Sequence, residues 1–166
     1  IPGFIDMERS KLTNTLKIIE YREELKSQIR DINYAWLTEF FRVEEMDALM
    51  LSDPTKYIIE PGGYIFYAEL NGEIVACAAL MKVEDGVYEL GKMGVYKEYR
   101  NLGIGTILLE YCLAFAERQK MNSLVLYSSR KLTNALHLYE KYGFLEVENI
   151  GGYYERGDIK MEKQIG

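Results

Sequence analysis

The chain has 166 residues, of which 48% are hydrophobic and 28% charged, and its formal net charge is −6. This length and composition are typical of one soluble globular domain, and the acidic balance disfavours a general nucleic-acid binder. No apolar run approaches the ~20 residues of a membrane-spanning helix, and the N-terminus lacks a signal-peptide pattern. We therefore expect a cytoplasmic protein with neither nucleic acid nor a membrane as a partner.

Cysteine and histidine are scarce in this chain. Cys77 and Cys112 lie inside apolar segments without metal-ligand spacing, which indicates buried free thiols. His137 is the one histidine, so neither a histidine-rich metal site nor a Ser-His-Asp triad is easily built, and we expect no metal. Residues 1–15 are expected to be an N-terminal extension or an expression remnant, and residues 16–166 to form the domain.

The first half of the chain predicts a strand, two helices and a three-strand meander. In chain order, the predicted elements are a strand at 16–21, helices at about 23–41 and 43–51, and strands at 64–70, 73–83 and 87–95. Asn71-Gly72 and Asp85-Gly86 separate these last three strands and are typical of type I′ hairpin turns.

The third strand of the meander contains two glycines, Gly91 and Gly94. Glycine inside a strand indicates a bulge, or backbone left bare for something to approach closely.

The second half predicts alternating helices and strands: a helix ending near 120, a strand at 123–128, a helix at about 132–142, and strands at 144–149 and 158–164. A strand, a crossover helix and a further strand imply one right-handed parallel βαβ unit. The predicted fold class is therefore α+β, with a mixed and mostly antiparallel sheet.

A glycine pair opens the first of these helices, in the segment YRNLGIGTILLEY at 99–111. Free N–H groups and the positive end of a helix attract phosphate, and Gly103 and Gly105 would let it come close. A tight turn into the helix is the alternative for two glycines alone. A dinucleotide fingerprint would need glycine in place of Leu108, and a Walker A loop would need lysine in place of Thr106. Both nucleotide motifs are therefore disfavoured.

This loop and a later block resemble the GNAT (GCN5-related N-acetyltransferase) superfamily. Arg100, Gly103 and Gly105 meet the signature [RQ]-x-x-G-x-[GA], and NALHLYEKYGF at 134–144 is similar to the block A-x-x-L-Y-x-x-x-G-F. The resemblance covers about 16–163. It implies a single GNAT-type domain: a twisted sheet around a central parallel βαβ unit that binds acetyl-CoA, with flanking helices.

The resemblance implies acetyl-CoA as cosubstrate, bound by three parts of the chain. The expected cofactor-binding residues are Met93, Gly94 and Val95 through their backbone, then Arg100, Asn101, Leu102, Gly103, Ile104, Gly105 and Thr106 of the loop, and Asn134. Many family members carry an asparagine where this chain has Leu132. Either Asn134 or Ser129 could substitute for it, and the sequence leaves that choice open.

Two catalytic residues follow from the same resemblance. Glu89 lies eleven residues before Arg100, the spacing of the family's base glutamate, and we assign it as general base acting through a water. Tyr139 occupies the family's tyrosine position, where a phenol can protonate the departing thiolate. The alternatives are a surface carboxylate on an alternating strand for Glu89 and core packing for Tyr139.

The predicted reaction is direct attack of an amine on acetyl-CoA in a ternary complex, with a small-molecule acceptor. A protein or peptide N-acetyltransferase and a non-catalytic acyl-CoA-binding domain are the alternatives, and a homodimer is left open. In this fold the region of Trp36 and the loop of Tyr153 and Tyr154 usually wall the acceptor pocket. A nearby acidic cluster, Glu39, Glu44 and Glu45, favours a cationic amine, although it equally fits a solvated helix face.

Overall fold

Seven strands form one mixed sheet with helices packed on both faces in the computed structural model of the protein, which describes residues 15–151 and 154–166. The strands are β1 (Leu16–Glu20), β2 (Tyr64–Leu70), β3 (Glu73–Glu84), β4 (Val87–Val95), β5 (Ser123–Ser128), β6 (Leu145–Val147) and β7 (Ile159–Gln164). The helices are α1 (Lys26–Phe40), α2 (Glu45–Ser52), α3 (Ile104–Arg118) and α4 (Thr133–Lys141). Except for residue 15, the expected N-terminal extension lies outside the described residues.

The sheet order is β1-β2-β3-β4-β5-β7-β6, and every neighbouring pair is antiparallel except β4 and β5. This confirms the predicted α+β class and the parallel βαβ unit, in which α3 crosses from β4 to β5. Both predicted hairpins are present. Asn71 and Gly72 have positive φ, as a type I′ turn requires, whereas at the second hairpin Gly86 has positive φ and Asp85 does not.

Alternation along the central strands divides the core into two layers. Phe66 and Leu80 face α3 on one side of the sheet, and their neighbours Tyr67 and Ala79 face α1 and α2 on the other. Because β2 and β3 are covered on both faces, they are apolar almost throughout. These layers fix the relative positions of β4, β5 and the helices around them.

The expected bulge lies in β4. Gly91 pairs with Ala79 and Gly94 with Cys77, so two residues of β4, Lys92 and Met93, lie opposite one residue of β3. Lys92 adopts φ +50°, a left-handed conformation that is rare for residues other than glycine. The bulge therefore changes the direction of the Lys92 side chain relative to a regular strand.

Both glycines of β4 are closely approached by side chains of the protein itself. A Cβ at Gly94 would lie 2.7 Å from Cδ1 of Trp36, and a Cβ at Gly91 would lie 2.7 Å from Cε of Met81. The bare backbone thus lets α1 and β3 pack tightly on this strand.

Candidate active site

A cleft of about 340 Å³ opens where β4 and β5 separate. The two strands pair only over Val87–Glu89 and Ser123–Val125, and beyond these residues they diverge. The continuing part of β4 forms one wall of the cleft, α4 forms another, and the aromatic end of α1 lies across it. A ligand can therefore lie between two strands that would otherwise be hydrogen-bonded to each other.

Glu89 is the last residue of β4 that pairs with β5, and it lines this cleft. No hydrogen bond or ion pair reaches its carboxylate from the residues that the structure describes. Burial raises its pKa, and the charges of Lys92, Lys160 and Arg156 partly oppose that rise. A Cβ at Gly91 would lie 3.2 Å from Oε2 of Glu89, so the glycine leaves room for the carboxylate beside the strand.

Tyr139 lines the same cleft from α4. Its ring packs edge-on against Phe144, with centroids 5.9 Å apart and planes at 66°. Burial raises the pKa of its phenol, so the hydroxyl stays protonated at neutral pH. Tyr139 thus packs against the core and also lines the cleft, on the wall opposite β4.

The glycine loop has the geometry of an anion-binding turn. Gly103 is the N-cap of α3 with φ +83°, and Asn101 also has positive φ, at +64°. The first N–H groups of the helix, those of Ile104, Gly105 and Thr106, have no intrahelical acceptor, and no side chain caps them. These groups and the positive end of the helix suit a pyrophosphate, so acetyl-CoA fits the residues present.

The side chains of this loop are less exposed to a ligand than its backbone. Ile104 is buried in the core and Leu102 packs against it. Arg100 donates to both carboxylate oxygens of Glu39, at 3.1 and 2.8 Å, and its guanidinium lies 5.2 Å from the ring centroid of Phe40. Its predicted role in cofactor binding stays a prediction, because in this structure the guanidinium is held by α1.

The two candidates for the missing family asparagine are placed differently. Ser129 is buried and lines the cleft beside Leu132, and its Oγ accepts a hydrogen bond from the N–H of Lys131 at 3.2 Å. Asn134 is exposed on α4 and is not part of the cleft wall. Ser129 is therefore the better placed of the two to reach a ligand in the cleft, and the predicted cofactor contact of Asn134 stays a prediction.

A buried ionic network lines one end of the cleft, and the sequence analysis missed it. Asp47 is completely buried and accepts hydrogen bonds from Nζ of Lys92 at 3.0 Å and from both terminal nitrogens of Arg156 at 2.7 Å. Lys92 also donates to the hydroxyl of Tyr154 at 2.8 Å, and Arg156 donates to Glu44 at 3.0 Å. The network connects α2, the β4 bulge and the loop between β6 and β7.

The same loop is tied to the α1–α2 connection at two more points. The N–H of Glu155 donates to Glu44 at 2.9 Å, and Arg42 forms an exposed ion pair with Glu155. Tyr154 therefore lies where the resemblance placed an acceptor wall, whereas Tyr153 lies outside the described residues. The acidic cluster expected to attract a cation is largely compensated, because Glu44 is paired here and Glu39 is paired with Arg100.

A second cavity, of about 370 Å³, adjoins this end of the cleft. The two cavities share Phe40, Phe41, Ser129 and Arg156. An acceptor longer than the cleft itself would have room there.

Neither a metal-binding cluster nor a membrane-spanning helix is found in residues 15–151 and 154–166. In these ranges no group of three or more His, Cys, Asp or Glu side chains is placed to hold a metal ion. Over the same part of the chain, no helix combines the length and apolar character needed to cross a membrane.

Comparison with known proteins gives the family. The model of the acetyltransferase (GNAT) family matches residues 27–144. An N-alpha-acetyltransferase of Sulfurisphaera tokodaii is 28% identical over 160 residues, covering 84% of this chain and 95% of that protein.

Solved structures show the same fold. A GNAT-family acetyltransferase from Staphylococcus aureus Mu50 superposes with a TM-score of 0.81 at 22% identity, over 91% of this chain and 99% of that one. The PaiA N-acetyltransferase of Thermoplasma acidophilum, in complex with coenzyme A, has a TM-score of 0.69 at 18% identity, over 90% and 98% of the two chains. The family match covers the splayed strands, the glycine loop and α4, so this chain belongs to the acetyltransferase (GNAT) family and is an acetyltransferase that uses acetyl-CoA.

Proposed function

We propose that the protein acetylates an amine by direct attack in a ternary complex, with Glu89 as general base and Tyr139 as general acid. The observation that carries this proposal is the carboxylate of Glu89, which is half-buried in the cleft without a hydrogen-bonding partner among the described residues. Partial removal from water raises its pKa, and carboxylates perturbed in this way inside a cleft are concentrated at functional sites.

The cofactor would be held mainly by backbone groups. The N–H groups at the start of α3 would bind the pyrophosphate, and the free edge of β4 at Met93–Val95 would pair with the pantetheine amides as an added strand. When bound, acetyl-CoA supplies a thioester whose carbonyl oxygen gains charge as the amine attacks. A strand N–H group directed at that oxygen would stabilise the charge.

Proton transfer is the work of the two side chains. An alkylammonium has a pKa of about 10, so at neutral pH the acceptor must lose a proton before it can attack. Glu89 would take this proton through a water, and Tyr139 would hold a proton at its hydroxyl for the departing thiolate. Because the base must be ionised, kcat/KM should fall as the pH drops through the pKa of Glu89, which burial places above the usual range.

A small-molecule acceptor is favoured by the end of the cleft that the ionic network lines. Lys92, Arg156 and Glu155 hold the β6–β7 loop against α2 and the α1–α2 connection, which narrows the space beyond Glu89. A peptide N-terminus is the second candidate, because the S. tokodaii relative is an N-alpha-acetyltransferase and the adjoining cavity could receive a longer acceptor.

The test is thiol release from acetyl-CoA with a panel of small primary amines and of peptides with free N-termini. For the best acceptor, Glu89→Gln should lower kcat by roughly 100-fold, with acetyl-CoA affinity unchanged by calorimetry. The loss should shrink as pH rises, because more of the amine is then already neutral. Glu84→Gln, on the exposed end of β3, is the control.

The general acid gives a contrasting pH profile. Tyr139→Phe should also lower kcat, but high pH should not rescue it, because the variant lacks the proton for the leaving thiolate. Full activity of Glu89→Gln at neutral pH would refute the base assignment, and activity confined to peptides would refute the small-molecule acceptor.

A further inference from the structure

A buried lysine lies beside the proposed base, on the bulge of β4. The side chain of Lys92 is 4% exposed, and its Nζ donates to Asp47 at 3.0 Å and to the hydroxyl of Tyr154 at 2.8 Å. The bulge is fixed from the opposite side, because the carbonyl of Lys92 accepts a hydrogen bond from Nδ2 of Asn33 at 3.1 Å. The backbone thus presents the ammonium towards the acceptor end of the cleft.

Stability alone gives a poor account of this lysine. A buried ion pair is often no more stable than well-packed apolar residues of similar volume, because both charges lose their hydration. Asp47 would keep two hydrogen bonds from Arg156 and one from the N–H of Glu44 without Lys92. The lysine also requires the left-handed backbone conformation of the bulge, which costs further free energy.

The charged groups around Glu89 show what the lysine can do. Four charged or titratable side chains interact electrostatically with Glu89: Lys92 from its own strand, Lys160 from β7, and Arg156 and Tyr154 from the β6–β7 loop. The neighbouring strands place uncharged residues opposite it, Met81 on β3 and Val125 on β5. Lys92 has the largest electrostatic effect among the cations, and it also contacts the loop directly.

We propose that Lys92 is a positioning residue for acetyl transfer, whose ammonium supplies the main positive charge facing Glu89 and fixes Tyr154 over the acceptor end of the cleft. This inference rests on the proposed role of Glu89 as base. The charge favours the ionised carboxylate that a base must be, and the hydrogen bond to Tyr154 keeps the acceptor wall in place while the amine binds. One side chain thus couples the state of the base to the shape of the acceptor site.

The electrostatic part can be measured without any acceptor. In protein labelled with carbon-13 at the glutamate side-chain carboxyl, an NMR titration gives the pKa of Glu89, with Glu89→Gln identifying the resonance. Lys92→Met should raise this pKa further, because burial would then act with less opposition. Lys92→Arg and Tyr154→Phe, which keep the positive charge, should leave it close to that of the wild type.

The positional part is read from amide hydrogen exchange at residues 154–158. Lys92→Met and Tyr154→Phe should each speed exchange at Glu155 and Gly157 by about fivefold, the effect of losing one hydrogen bond. Lys160→Met is the matched control: its ammonium also faces Glu89 but makes no hydrogen bond to Tyr154, so exchange in the loop should not change.

The proposal requires both results. It is overturned if Lys92→Met leaves the pKa of Glu89 unchanged, or if loop exchange in that variant matches the wild type. Should Lys92→Met fail to fold, Lys92→Gln takes its place in the titration, and Tyr154→Phe tests the positional part: an unchanged pKa of Glu89 in the first, or wild-type loop exchange in the second, would overturn the proposal. None of these measurements uses an acceptor. A fully active Glu89→Gln variant would therefore refute the role of Glu89 as general base, and this outcome is distinct from an unchanged pKa or unchanged loop exchange in Lys92→Met.

Discussion

Asp47→Ala is expected to be among the most damaging single substitutions in this protein. Asp47 is fully buried, and it accepts hydrogen bonds from Lys92, twice from Arg156, and from the N–H of Glu44 at 2.9 Å. Its removal would break the ion pair of Lys92 and would leave Arg156 with Glu44 as its remaining carboxylate partner. The N-terminus of α2 would also lose half of its reciprocal cap.

The expected loss is about 3–5 kcal/mol in the free energy of unfolding, the usual cost of removing one partner from a buried ion pair. Domains of this size are stable by roughly 5–15 kcal/mol, so the variant would lose a large fraction of its stability. Urea unfolding followed by circular dichroism at pH 7 would show the midpoint fall without a change in slope.

The same carboxylate gives the prediction a pH dependence. Burial acts to raise the pKa of Asp47, but the hydrogen bonds from Arg156 and the charge of Lys92 outweigh it, and the pKa lies below its usual range. A depressed pKa in the folded state contributes stability above the unfolded value, near 4, and that contribution is lost as the pH falls. The difference between wild type and Asp47→Ala should therefore narrow in acid.

The exposed pair between Glu39 and Arg100 offers a control of similar geometry. Both pairs use a bidentate arginine, but the side chains of Arg100 and Glu39 are 27% and 33% exposed to water, whereas that of Asp47 is fully buried. Water and salt weaken such pairs, so Glu39→Ala should change the unfolding midpoint little. A loss below about 1 kcal/mol for Asp47→Ala, or equal losses in both variants, would refute the reasoning.

Three further predictions concern the cleft. Gly103→Val should weaken acetyl-CoA binding at least tenfold by calorimetry in a folded variant, because a β-branched residue is strained at φ +83° and would fill the phosphate turn; unchanged affinity would exclude this loop as the phosphate site. Gly94→Ala should displace the ring of Trp36, the single tryptophan, and so shift the fluorescence spectrum of the protein. The same change should lower the free energy of unfolding by about 1–3 kcal/mol. An unchanged spectrum would contradict the close contact. Glu39 and Glu44 are paired with arginines, so the site should show little preference for a second positive charge on the acceptor. The kcat/KM for a linear alkyl diamine should therefore lie within about threefold of that for the monoamine of equal length. A tenfold preference for the diamine would show that uncompensated negative charge remains.

The fold could be predicted because its signals are local. Asn71-Gly72 and Asp85-Gly86 mark the two hairpins, and apolar spacing marks the helices, so the order of elements follows from short segments. Glu89 and Tyr139 were assigned to one site from the family resemblance, and both line the cleft where β4 and β5 separate. The first and last residues of the elements could be predicted less well: β6 has three residues, whereas the sequence analysis predicted a strand of six.

The ionic network could not be predicted, because its partners are distant in sequence. Asp47 lies 45 residues from Lys92 and 109 from Arg156, and nothing in the chain marks these residues as a set. The sequence analysis left two interpretations open for Glu39, Glu44 and Glu45, an attraction for a cationic amine and a solvated helix face. In addition, Glu44 and Asp47 fit a simple helix cap. The one available signal was a lysine between two glycines in an apolar strand, where an unpaired ammonium could not remain.

The properties of the cleft converge on a six-residue part of β4, Glu89–Gly94. Gly91 leaves room for the carboxylate of Glu89, and Gly94 lets Trp36 cover the strand. Between these glycines, the bulge directs Lys92 towards the β6–β7 loop. A regular strand has a period of two, so without the extra residue the side chains after the bulge would change faces. The local irregularity is therefore what allows one strand to present a carboxylate, a positive charge and a bare backbone edge to the same cleft.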